Sequence, residues 1–122
     1  MNSQTRNPSN AGLPRQELAV LRAGLLEQRA FRREQLLGIR QSAGSDWAGE
    51  VRSTARAEVL DHLTVAARIV LADVEAALDR MDTGHYGQCR ACRGAIEVPR
   101  LRICPQALYC GECHRVREVA GA

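Results

Sequence analysis

The chain has 122 residues and a formal net charge of +3, with 45% hydrophobic residues but only 3% aromatic residues. This length fits one modest domain, and the scarcity of aromatic residues favours extended helices over a compact globule. So small a net charge does not by itself indicate a nucleic-acid-binding protein.

Residues 1–13 are predicted to form a disordered leader, because they are polar and rich in turn-forming residues. They lack the apolar segment of a secretory signal peptide. No stretch of the chain is apolar for long enough to predict a transmembrane helix. We therefore expect a cytoplasmic protein with no membrane partner.

An antiparallel helical hairpin is predicted over residues 14–83. Its first helix begins at Pro14 and continues to about Gln41, with an apolar face that Arg29 and Arg32 interrupt. That face consists of Leu18, Leu21, Leu25, Leu36 and Ile39. Residues 42–45, Ser-Ala-Gly-Ser, predict a break, and the tip of the hairpin is expected near residues 42–51.

The second helix of the hairpin is predicted from about Trp47 to Asp82, and Gly84 suits its end. Its apolar residues recur at alternating steps of three and four, which is typical of a coiled-coil seam. The seam consists of Val59, Leu63, Ala66, Val70, Val74, Ala77 and Met81. Residues 1–41 carry a net charge of +4 and residues 42–83 one of −4, which favours pairing within one chain. The seam alone is equally compatible with dimerisation of two chains.

Residues 84–122 are predicted to form a small zinc finger with a short C-terminal helix. Two C-x2-C pairs, Cys89 with Cys92 and Cys110 with Cys113, are separated by 17 residues. Four thiolates from two tight turns supply the closed tetrahedral shell of one structural Zn²⁺. Two disulfides are the alternative, which this pair spacing and a cytoplasmic location disfavour. Because the segment has few large apolar side chains, we expect it to fold only with metal.

Residues 77–113 resemble the zinc finger of the DksA/TraR family. The run from Ala77 to Cys89 reads ALDRMDTGHYGQC, and the family's usual form is A-L-x-R-[IM]-x-x-G-x-Y-G-x-C. The match continues in order through Cys92, Ile96, Pro99, Arg100, Leu101, Pro105, Cys110 and Cys113.

The resemblance implies a transcription regulator without enzymatic activity that binds bacterial RNA polymerase directly and does not recognise promoter DNA. A monomer would insert its hairpin into the secondary channel and alter the lifetime of promoter complexes. Family members often act together with the alarmone ppGpp, in the stringent response. The alternative is a zinc-ribbon module that binds nucleic acid and dimerises through its helices.

The candidate partner-binding residues are Asp46, Trp47 and Glu50, at the expected tip. DksA carries aspartate-x-x-aspartate-x-alanine there, and Asp46 matches its first aspartate, while Gly49 replaces the second beside Glu50. Trp47 is the only tryptophan of the chain. We interpret it either as a packing residue that folds back over the turn or as an aromatic anchor for a partner.

Three basic positions that help to hold ppGpp in DksA are occupied here by Asp73, Cys104 and His114. Arg100 is left as a candidate alarmone contact. Each lost charge-assisted contact removes roughly 1.5–3 kcal/mol of binding free energy, so we expect little ppGpp dependence. We interpret Cys104 as a small buried thiol rather than a redox sensor, and both His85 and His114 as non-ligands.

Overall fold

The computed structural model describes residues 10–45 and 53–121, and these residues form four helices. Helix α1 spans Arg15–Ser45, α2 Ser53–Thr83, α3 Val98–Ile103 and α4 Gly111–Gly121. Extended pairing in the described ranges is limited to an isolated antiparallel bridge between Gln88 and Ala95. The predicted fold class is confirmed: a mainly α chain with a long helical hairpin, a small cysteine finger and a short C-terminal helix. None of the described helices is long and apolar enough to cross a membrane.

Helices α1 and α2 pack side by side and run in opposite directions. Arg22 Nη1 donates to Asp82 Oδ1 at 3.2 Å, and Arg33 Nη2 donates to Glu75 Oε2 at 2.8 Å. A later residue of α1 thus pairs with an earlier residue of α2. These side chains are largely exposed, so the two ion pairs select the register more than they stabilise the hairpin.

The contact face of α2 differs from the predicted seam in its first half. A regular heptad series is buried or half-buried: Leu60, Thr64, Ala67, Leu71, Val74, Leu78 and Met81. Val59 and Leu63, which were predicted to lie in the seam, are 56% and 43% exposed, and Ala66 is exposed as well. Apolar residues stand at neighbouring positions in this part of α2, so two series one residue apart fit the same sequence. Packing against α1 selects between them.

Helix α1 continues through Ser45, so the prediction of a break at residues 42–45 is wrong. The segment contains no proline, and its single glycine, Gly44, lowers helix stability by only about 1 kcal/mol relative to alanine. The tip residues Asp46, Trp47 and Glu50 lie outside the described residues, and their role stays a prediction.

The core lies at the base of the hairpin, where the finger packs against both long helices. Leu21 and Leu25 are buried there, and the rest of the predicted apolar face of α1 is half-buried. Their buried neighbours are Val74, Ala77, Leu78 and Met81 of α2, and Tyr86, Cys89, Ile96 and Leu101 of the finger. Toward the tip, large apolar side chains such as Phe31 and Leu37 are exposed. The finger therefore completes the hairpin's core and does not fold around a separate one.

Residues 10–13, which were predicted to belong to the disordered leader, form an ordered turn against the base of the hairpin. The Asn10 backbone N–H donates to the Gly84 carbonyl at 3.1 Å. The Asn10 side chain accepts from the Tyr86 N–H at 2.9 Å and donates to the Met81 carbonyl at 3.4 Å. Asn10 thus satisfies backbone groups at the end of α2 and the start of the finger. A single residue of this kind produces no periodic pattern by which the sequence could reveal it.

Candidate metal centre

Four sulfur atoms converge in the finger, as the sequence pattern predicts. The Sγ atoms of Cys89, Cys92, Cys110 and Cys113 all lie within 4.8 Å of one another. Those of Cys92 and Cys110 are 4.0 Å apart. A tetrahedral zinc ion with Zn–S bonds of about 2.3 Å separates its sulfur ligands by about 3.8 Å. The four thiols are therefore arranged closely enough to hold a single tetrahedral metal ion.

A tight turn holds the first cysteine pair. The Arg93 N–H donates to the Cys89 carbonyl at 2.9 Å, and the Cys89 N–H donates to the Gly94 carbonyl at 2.7 Å. Arg93 has a φ of 68°, in the left-handed region, which reverses the chain after the pair. The Gly94 N–H then points at Cys92 Sγ, 3.4 Å away. An N–H aimed at sulfur favours the thiolate, which is the form that binds metal.

The second pair lies at the start of α4. The Cys113 N–H approaches Cys110 Sγ at 3.5 Å, so this sulfur also faces a backbone donor. The Gly111 N–H donates to Glu97 Oε1 at 3.1 Å, so a carboxylate from just before α3 caps α4. Hydrogen bonds from its own backbone and from Gly111 lower the pKa of Glu97, which keeps it charged for this role. Backbone contacts thus position both cysteine pairs.

Proximity makes the ionisation of the four thiols interdependent. Burial raises the pKa of Cys89, but backbone N–H groups of Cys92, Cys110 and Ala91 outweigh it and lower the pKa to about 6. Hydrogen bonding with Cys110 and Cys89 raises the pKa of Cys113 to about 12. The first thiolate therefore forms readily, and its negative charge opposes the ionisation of the neighbouring thiols. A divalent cation removes this opposition, and four soft sulfur donors suit Zn²⁺.

One contact inside the finger and one between the finger and the hairpin hold this part of the molecule in place. Tyr86 is fully buried, and its hydroxyl donates to the Pro105 carbonyl at 2.7 Å. Burial raises the pKa of Tyr86 well above its ordinary range, so the hydroxyl keeps the proton that it donates. Arg102 of α3 donates from two nitrogens to the Glu17 carboxylate of α1, at 3.1 and 2.9 Å. The Arg102 hydrogen bond holds the pKa of Glu17 below its usual value.

The remaining candidate residues of the finger lie outside the sulfur cluster. Arg100 donates from Nε to the Tyr109 carbonyl at 2.8 Å, which ties α3 to the segment before Cys110. His114 Nε2 lies 3.0 Å from Glu118 Oε2 on the outer face of α4. Cys104 is half-buried. In the described part of the chain, the cluster contains neither a histidine nor the fifth cysteine.

Sequence reasoning missed Asn10 and Glu97, which hold the finger in place. Asn10 is followed by Ala11 and Gly12, a composition that predicts a turn but says nothing of the distant groups it contacts. Glu97 caps a helix that begins 14 residues later, and no local capping pattern has that spacing.

No protein-family model matches the chain. It is 32% identical over 101 residues to an uncharacterized protein of Aquifex aeolicus (strain VF5), a match that covers 81% of this chain and 70% of the relative. Its structure is similar to that of the transcription factor DksA2 from Pseudomonas aeruginosa, with a TM-score of 0.79 and 22% identity. That match covers 88% of this chain and 87% of the DksA2 chain. The fold implied by the resemblance of residues 77–113 is therefore confirmed.

Proposed function

This chain and the Aquifex aeolicus protein belong to one family, and from that premise, together with the DksA2 fold, we propose that the chain is a bacterial transcription factor that binds RNA polymerase directly. Its hairpin enters the secondary channel of the polymerase, and the tip acts near the catalytic centre on the stability of promoter complexes. One structural Zn²⁺, bound by Cys89, Cys92, Cys110 and Cys113, stabilises the finger. The protein is a cytoplasmic monomer that performs no catalysis and reads no promoter sequence.

The observation that carries this proposal is that the residues of the resemblance build the junction between hairpin and finger. The residues common to the motif region and the buried core are Ala77, Leu78, Met81, Tyr86, Cys89, Ile96 and Leu101. From this base, each long helix extends for 31 residues, which corresponds to about 45 Å. A thin rod on a small rigid base suits insertion into a narrow channel.

We further propose that ppGpp contributes little to the activity. Asp73, Cys104 and His114 provide no permanent cation at the positions that the resemblance assigns to the alarmone. Arg100 already uses its Nε to bind the Tyr109 carbonyl. A polyphosphate at this place would meet one partly engaged arginine and the carboxylate of Asp73, and repulsion by the carboxylate opposes binding.

The alternative, a nucleic-acid-binding module that dimerises through its helices, has less support. It was suggested by an apolar seam that needs a partner, and within one chain α1 covers the half of that seam nearest the finger, although Val59 and Leu63 stay exposed. Leu25 of α1 and Val74 of α2 are both 0% exposed in the single chain.

Capture of purified RNA polymerase by the zinc-loaded full-length chain tests the proposal. We expect the polymerase to be retained equally before and after nuclease treatment. Loss of the captured polymerase after nuclease treatment would favour the nucleic-acid-binding alternative.

The alarmone is tested by the lifetime of promoter complexes with and without ppGpp. We expect this chain to change the lifetime equally in both conditions, and Arg100→Ala to behave like the parent. Tight, saturable ppGpp binding that Arg100→Ala abolishes would contradict the expected independence.

A further inference from the structure

A basic cleft of about 300 Å³ lies where the end of α2 meets the first cysteine pair. Its lining residues are Arg80, His85, Gln88, Cys89, Arg90 and Arg93. Three of the six are arginines, and no carboxylate lines the cleft.

Arg80 at the base of this cleft lacks a hydrogen-bond acceptor. Its Nη2 is buried without a partner, although the residue as a whole is only half-buried. Burial lowers the pKa of Arg80, and repulsion from Arg90 lowers it further, against weaker attraction from Tyr86 and Asp73. A buried guanidinium N–H without an acceptor, next to a second cation, is costly. In folded proteins such a group calls for a partner that completes it.

Other arginines near the base of the hairpin have found acceptors within the chain. Arg102 binds Glu17, Arg22 binds Asp82, and Arg100 binds a carbonyl. The side chains of Arg80, Arg90 and Arg93 have no such hydrogen bond or ion pair in the described ranges. Arg80 is half-buried and Arg90 and Arg93 are exposed, and the three unpaired side chains share one cleft.

The sulfur cluster does not account for these cations. Cys89 lines the cleft, but the hydrogen bonds that the sulfur cluster receives in the described ranges come from the backbone N–H groups of Gly94 and Cys113, and none comes from a guanidinium. The guanidinium groups are therefore available to a ligand in the cleft.

We propose that this cleft binds the phosphate groups of a small ligand that carries a diphosphate. A guanidinium presents its N–H donors in a planar fork that matches phosphate oxygens, and three guanidinium groups suit an anion with several negative charges. Neither Phe, Tyr nor Trp lines the cleft, and its three guanidinium groups favour recognition through the phosphates. The site is distinct from the alarmone positions implied by the resemblance, because Asp73, Cys104 and His114 do not line it. Binding here requires neither polymerase nor nucleic acid.

Calorimetric titration of the zinc-loaded full-length chain with inorganic pyrophosphate tests the site. The informative variants are Arg80→Gln and Arg90→Gln, and the matched control is Arg115→Gln, which makes the same charge change on α4 outside the cleft. We expect at least a tenfold loss of affinity in the two cleft variants and less than a twofold change in the control. An equal loss in all three variants, or no binding by the parent at millimolar pyrophosphate, would overturn the proposal.

Thermal unfolding separates a ligand site from a structural role. Without ligand, Arg80→Gln should be at least as stable as the parent, because it removes an unpaired cation. Pyrophosphate should raise the melting temperature of the parent and not that of Arg80→Gln. A less stable Arg80→Gln protein that keeps the affinity of the parent would instead make Arg80 a structural residue.

Two further measurements identify competing explanations. A short single-stranded oligonucleotide that binds through Arg80 and Arg90, while pyrophosphate does not bind, would make the cleft a nucleic-acid contact and overturn the proposal. Faster loss of zinc to a chelator in Arg80→Gln, again without pyrophosphate binding, would make the arginines countercharges of the metal site. We expect neither result.

Discussion

At the scale of single residues, Asn10 joins the end of α2 to the start of the finger. Its side chain binds the Tyr86 N–H and the Met81 carbonyl, and its φ of 50° lies in the left-handed region. We expect Asn10→Ala to destabilise the protein by about 2–3 kcal/mol, from two lost hydrogen bonds and backbone strain.

Asn10→Gly is the matched control in urea denaturation, because glycine keeps the left-handed backbone and loses only the side-chain hydrogen bonds. It should be more stable than Asn10→Ala by about 1 kcal/mol. Parent-like stability of Asn10→Ala would show that the turn at residues 10–13 is not part of the folded core.

Substitution of a clustered cysteine should abolish zinc binding, whereas substitution of the fifth cysteine should not. Cys92→Ser removes one of four sulfur ligands, so we expect loss of the bound zinc and loosening of residues 84–122. Cys104→Ser is the control, because Cys104 lies outside the cluster. Elemental analysis and amide hydrogen exchange measure the two effects, while the far-ultraviolet signal of α1 and α2 should largely persist. Equal zinc content in both variants would contradict the assignment of the ligands.

Among the elements, α1 has a stabilising half and an exposed half. Leu25, in the core shared with the finger, is 0% exposed, whereas Leu37, nearer the tip, is 53% exposed. We expect Leu25→Ala to cost about 2–5 kcal/mol of unfolding free energy. Leu37→Ala, the same substitution in the same helix, should cost less than about 1 kcal/mol. Equal destabilisation in chemical denaturation would mean that the hairpin is packed evenly along its length.

The two long helices show what the sequence could predict and where it was ambiguous. The burial of Leu21 and Leu25 in α1 was predicted correctly, although apolar Val20 and Leu26 stand beside them. In α2, Val59 precedes Leu60 and Ala66 precedes Ala67, so periodicity could not choose between two adjacent series. The choice depends on the partner helix, which local sequence does not encode.

The finger was predictable for a different reason. Cysteine spacing is a chemical constraint of the metal, so it specifies the four sulfur positions directly. The contacts that orient the finger, such as Glu17 with Arg102, join residues 85 positions apart and follow no short-range rule. The cluster could therefore be predicted from sequence, whereas its attachment to the hairpin could not.

On the scale of the whole molecule, the proposed function makes the hairpin a spacer between the finger and the candidate polymerase-binding residues Asp46, Trp47 and Glu50. We expect Trp47→Ala to weaken polymerase binding, because truncating an aromatic anchor often costs at least about 2 kcal/mol. The double variant Asp46→Asn with Glu50→Gln should bind almost normally but change promoter-complex lifetime less. This separation would follow if the indole supplies affinity and the carboxylates act at the catalytic centre.

Binding assays and lifetime measurements on the same preparations distinguish these roles. Thermal unfolding serves as the control, and the double variant should melt at the same temperature as the parent. If both variants regulate transcription like the parent, the tip is not the part of the protein that acts on polymerase.

The shared core at the base also determines the order in which the chain can fold as it is synthesised. Leu21 and Leu25 find their partners among residues 74–101, so α1 leaves the ribosome long before the finger exists. At a synthesis rate of about 5–20 residues per second, roughly 4–15 seconds pass between the synthesis of Leu25 and that of Leu101. During that interval we expect the nascent helix to be a substrate for chaperones. A messenger truncated before the codon for Leu101 would yield a chain that never covers this face, and we expect cellular proteases to remove it.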